Sequence, residues 1–95
     1  MVFEQRKVRV GETFEIRLDA NPSTGFAWQV SCDANSLKLV NKTFDRASNS
    51  MGAGGTDVWK FEALRAGNSN LTFELRRSWE KDVQAARVYE IEVQP

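Results

Sequence analysis

Ser23 and Thr24 stand between Pro22 and Gly25 in the run Asn21-Pro22-Ser23-Thr24-Gly25-Phe26, and they offer two hydroxyls with no charge beside them. A hydroxyl attacks a carbonyl only when a base takes its proton, and this chain of 95 residues has no histidine. The same absence removes the commonest nitrogen ligand for zinc and the base that the single thiol, Cys32, would need as a nucleophile. No enzyme activity, no cofactor and no metal is expected. The chemistry left to this run is recognition by a stiff, uncharged surface.

Pro22 fixes its own φ and biases Asn21 toward an extended conformation, while Gly25 supplies the positive φ that a tight turn often requires. Taken alone, the run is an ordinary hairpin turn. Two further stretches share its unusual character. Gly52-Ala53-Gly54-Gly55 closes a polar, glycine-rich segment and reads as a loop tip. It lacks the lysine that follows the glycines of a phosphate cradle, so nucleotide binding is not expected. Arg77-Ser78-Trp79 sets a tryptophan among Arg76, Arg77, Glu80 and Lys81, which suits an exposed tip better than a core.

These three stretches need elements to hold them. Phe14, Ile16, Leu18 and Ala20 alternate with Glu15, Arg17 and Asp19, the period of a half-buried strand over 14–20. Phe26, Trp28, Val30 and Cys32 repeat that period directly after the turn. An apolar run over 37–44 follows, then the polar loop, then Trp59, Phe61 and Ala63 alternating with Lys60 and Glu62. Leu71, Phe73 and Leu75 form the next strand after an Ala66-Gly67-Asn68-Ser69 turn, and Tyr89, Ile91 and Val93 form the last. A strand over 7–10, closed by Gly11-Glu12, brings the count to about seven. No segment holds a helical period over ten residues. Short strands with frequent turn signals predict an all-β fold, an immunoglobulin-like antiparallel β-sandwich occupying residues 1–95 as one domain. Trp28 suits its central aromatic position. In that strand order the loops after the second, fourth and sixth strands gather at one end. They are the loops carrying 21–25, 52–55 and 77–79.

Composition agrees with a packed core and narrows the partners. The hydrophobic fraction is 41%, with six Phe, three Trp and one Tyr. A chain of this length buries roughly 65% of its unfolded surface. Thirteen basic residues balance thirteen acidic ones, which leaves no long-range attraction to a phosphate backbone or an anionic membrane. Neither nucleic acid nor membrane is expected as a partner, and the chain reads as a soluble monomer. One cysteine allows no internal disulfide, and its place at the end of an apolar alternation makes Cys32 a core thiol. Asn41-Lys42-Thr43 and Asn70-Leu71-Thr72 match the glycosylation acceptor pattern, which matters only in a eukaryotic secretory setting. The first seven residues form no apolar signal core. The compartment is therefore open, and a chain that had shed an export signal would be periplasmic or secreted.

In these three stretches the chain resembles the chagasin family, inhibitors of papain-like cysteine proteases. The family carries an Asn-Pro-Thr-Thr-Gly-Phe/Tyr loop, matched by 21–26 with Ser23 for the first Thr. It also carries a Gly-x-Gly-Gly loop, matched by 52–55 and followed at the expected distance by Trp59 and Phe61, and an Arg-Pro-Trp loop where Arg77-Ser78-Trp79 falls. Ser78 is a departure that removes a φ restraint ahead of Trp79. The resemblance implies a reversible, competitive inhibitor with a papain-like cysteine protease as partner. It implies protease contact through Asn21, Pro22, Ser23, Thr24, Gly25 and Phe26 in the active-site cleft, with Gly52, Gly54, Gly55, Arg77 and Trp79 gripping its walls. On that reading the hydroxyls of Ser23 and Thr24 hydrogen-bond near the catalytic Cys and His. A second reading remains: an immunoglobulin-like adhesion or carbohydrate-binding module, which a flat row of exposed aromatics would favour.

Overall fold

The computed structural model describes residues 2–21, 24–46 and 54–95. Seven strands follow one another: β1 (Val2–Arg9), β2 (Thr13–Ala20), β3 (Phe26–Ser31), β4 (Leu37–Arg46), β5 (Gly55–Ala63), β6 (Gly67–Arg77) and β7 (Ala85–Gln94). They form a four-stranded sheet in the order β1-β7-β6-β3 and a three-stranded sheet in the order β2-β5-β4. The expected all-β sandwich is therefore what forms. The pairs are antiparallel except one, β1 running parallel to β7 from Val2↔Arg87 to Arg9↔Gln94. The first strand is longer than 7–10 because this parallel ladder engages backbone regardless of hydrophobic pattern.

The alternation read in the sequence becomes the inner faces of the two sheets. Ile16, Leu18, Trp28, Leu37, Trp59, Phe61, Ala63, Leu71, Phe73, Tyr89, Ile91 and Val93 form one buried cluster. Its middle is aromatic, with Phe73 meeting Trp59, Phe61 and Tyr89 edge-on at centroid distances of 5.3, 6.3 and 5.8 Å. Such edge contacts set the positive rim of one ring against the negative face of the next, each worth about 1 kcal/mol beyond the area buried. Trp28 takes the central place expected of it without a disulfide beside it, and its Nε1 donates to the Asp19 carbonyl at 2.8 Å. That bond ties β3 to β2 across the two sheets. Cys32 falls one residue past β3 and is half-buried at the edge of the cluster, its thiol donating weakly to the Leu37 carbonyl at 3.9 Å. Burial, and secondarily Asp33, push its pKa above the ordinary value of 9.0, so the thiol stays protonated and unreactive near neutrality.

Long cationic side chains close the open sides of the sandwich. Lys42 sits with its ammonium 4.6 Å from the Trp59 ring centroid, Arg87 lies 5.8 Å from that of Trp28, and Arg6 donates to the Glu15 carbonyl while lying 5.9 Å from the Tyr89 ring. Each covers apolar surface with its stem and keeps its charge toward water. The exposed Lys42 also guards the edge strand β4 against pairing with another chain. A bulge between Leu39 and Asn41 adds to that protection by breaking the ladder on the same strand.

Candidate functional site

Two register facts bring the loops to one pole. Ala20, the last residue of β2, and Arg46, the last of β4, both pair with Gly55, the first of β5. Phe26, the first residue of β3, pairs with Arg77, the last of β6. Loop 21–25 therefore spans from one sheet to the other, with Gly54 and Gly55 against its first end and Trp79 against its second. The described residues of the three stretches singled out in the sequence lie at one pole. Pro22, Ser23 and Gly52 lie outside the described residues.

Loop 21–25 is shaped from within by Thr24. Its backbone N–H donates to the Asn21 carbonyl at 3.1 Å, its hydroxyl donates to the same oxygen at 2.8 Å, and that hydroxyl accepts from the Phe26 N–H at 3.3 Å. In the free protein the proton of this hydroxyl is thus engaged inside the turn, where it holds Thr24 against Asn21. Gly25 follows with φ of +83°, in the region that favours glycine.

Gly25 is also a point of close approach. A Cβ there would stand 2.9 Å from Cη2 of Trp79, because the indole's benzo edge abuts the loop. Trp79 is 70% exposed, so the ring rests on the turn and presents most of its surface to water. At the other end, a Cβ on Gly54 would stand 2.9 Å from the Ala20 carbonyl oxygen and 3.6 Å from Cβ of Asn21. Side chains at both contacts would push loop 21–25 away from its neighbours. Arg77 reaches across this pole: its guanidinium lies 4.3 Å from the Phe26 centroid and bonds Glu80 at 3.1 Å.

Between the loops lies an open groove of about 440 Å³, lined by Asp19, Ala20, Asn21, Gly54, Gly55 and Thr56. On the same strand as Gly55 and Thr56, Asp57 is an acidic residue buried to 7% exposure. The sequence reading did not single it out, although the alternation of Trp59, Phe61 and Ala63, carried back two residues, puts it on the inner face. The described residues contain no group of three or more acidic, Cys or His side chains arranged to hold a metal ion. The pole thus combines a hydrogen-bonded turn, close backbone approach on either side of it and one large exposed aromatic. That is equipment for fitting a concave surface and excluding water from it.

Comparison with known proteins identifies the family. The family "Chagasin family peptidase inhibitor I42" matches residues 7–93. The chain is 36% identical to chagasin of Trypanosoma cruzi, with 76% of this chain and 71% of that protein covered. It is 33% identical to amoebiasin-1 of Entamoeba histolytica, covering 73% and 69% respectively. The fold is also that of the cysteine protease inhibitor EhICP2 from Entamoeba histolytica, with a TM-score of 0.85 at 19% identity over 98% of this chain and 93% of that one. PbICP-C, solved in complex with falcipain-2, superposes with a TM-score of 0.74 at 14% identity over 98% and 88%. The chain belongs to the chagasin family of peptidase inhibitors.

Proposed function

We propose that this protein inhibits papain-like cysteine proteases reversibly and competitively, loop 21–25 entering the active-site cleft while residues 52–55 and 77–79 hold its two walls. Family membership supports the inhibitory activity, and the neighbour solved with falcipain-2 supports the class of partner. The observation that carries the cleft geometry is the convergence itself: Asn21 lies beside Gly54 and Gly25 beside Trp79, so described residues of three separated stretches meet at one pole. A turn already hydrogen-bonded through Thr24 loses little conformational freedom on binding, so more of the contact energy is available as affinity. Asn21, Pro22, Ser23, Thr24, Gly25 and Phe26 form the wedge, and Gly52, Gly54, Gly55, Arg77 and Trp79 meet the walls. Trp79 is the aromatic anchor, worth about 2 kcal/mol or more once it fills a pocket.

The direct test is a titration of papain activity with the purified protein at several substrate concentrations. The expected result is inhibition that added substrate relieves. Full activity at micromolar inhibitor removes the proposal. The adhesion or carbohydrate-binding reading gains nothing from the fold: the large apolar side chains exposed among the described residues are scattered over several elements, and Trp79 and Phe3 are the aromatics among them.

A further inference from the structure

We infer that Arg77 is a positioning residue that locks the wedge loop to the anchor loop before any protease is met, an inference that rests on the proposed inhibitory role of this pole. Four contacts carry it. The guanidinium lies 4.3 Å from the Phe26 centroid and 5.9 Å from that of Trp79. Its Nη1 donates to Glu80 Oε1 at 3.1 Å, and its Nε donates to the Thr24 carbonyl at 3.4 Å. The side chain is 36% exposed, so most of it faces its own protein.

The four contacts belong to three different pieces of the pole. Thr24 and Phe26 are the end of the wedge loop, Trp79 is the anchor, and Glu80 opens the descent toward β7. A planar guanidinium presents five N–H donors in a rigid fork and a flat face for stacking, so one residue satisfies all of these at once. A lysine, with a compact ammonium, does not. Ser78 gives the role its importance. With no proline ring to fix φ between Arg77 and Trp79, the conformation that carries the indole edge to Gly25 needs another restraint. The fork of Arg77 supplies it, with the Glu80 pair holding the turn from the far side. Loss of Arg77 therefore lowers the fraction of molecules whose wedge and anchor are set for binding, and the apparent affinity falls by that fraction.

Nuclear Overhauser contacts between the Trp79 indole edge and the Gly25 Hα protons read this coupling without any protease. In the native protein the contact is expected. In Arg77→Gln it is lost, the association rate with papain falls about tenfold, and the dissociation rate changes far less. Arg77→Lys follows the glutamine variant and not the native protein, and decides the matter by the same contact should the glutamine variant fail to fold. Retention of the Trp79–Gly25 contact in a folded variant overturns the inference, and so does an association rate left at its native value. If the native protein leaves papain fully active, the inhibitory reading fails while the Overhauser comparison still decides the role of Arg77.

Discussion

At the scale of single residues, this pole depends on what is absent as much as on what is present. Gly25 has no Cβ where the Trp79 indole abuts it, and its φ of +83° is one that other residues adopt at a cost of about 1–2 kcal/mol. Gly25→Ala is therefore expected to move Trp79 off the loop and weaken papain inhibition about tenfold or more, while the melting temperature falls by only several degrees. Inhibition constants alongside a thermal melt check this, and unchanged inhibition would show that the contact has no bearing on binding. The need for glycine in the turn was legible from the Pro-x-x-Gly spacing, but its second reason was not. Trp79 lies 54 positions further on, and only the pairing of Phe26 with Arg77 brings it near. The internal bond of Thr24 was hidden for a related reason: a hydroxyl in a turn has both the neighbouring carbonyl and solvent to choose from, and in the free protein it bonds the Asn21 oxygen.

At the scale of elements, alternation made the strands readable. Phe14 to Ala20 and Trp59 to Ala63 alternate because each sheet has one face inward, so a period of two could be read directly. The parallel β1 was less legible. Phe3 is exposed, Arg6 turns inward over Tyr89, and the strand is held by its ladder to β7 more than by an apolar face. Equally hidden was the bond from Trp28 Nε1 to the Asp19 carbonyl, which joins the strands on either side of loop 21–25 at its base. Trp28→Phe keeps a large ring but removes the donor, and it is expected to destabilise the protein by about 2 kcal/mol through the unpaired carbonyl and the space left behind. Urea unfolding measures the change. A difference below about 0.5 kcal/mol, the range of an ordinary surface substitution, would mean that this bond does not hold the base of the loop.

For the whole molecule, the sandwich is a frame that carries three irregular stretches to one end while the turns at 10–12, 32–36 and 64–66 occupy the other. That far end is stitched by backbone: Gly11 and Glu12 exchange hydrogen bonds with Ala63, and Leu64 donates to Ser36 at 2.8 Å. It is built for closure, whereas the near end is left with an open groove and an exposed indole. The division follows from strand order, which is why a strand count and three motif positions were sufficient to anticipate it. The central claim is that the near end alone meets the protease. Amide hydrogen exchange of the protein with and without saturating papain tests this most directly. The account predicts slowed exchange at residues 20–26, 54–56 and 77–80 and no change at 10–12, 32–36 and 64–66; protection at the far turns with none at loop 21–25 would contradict it.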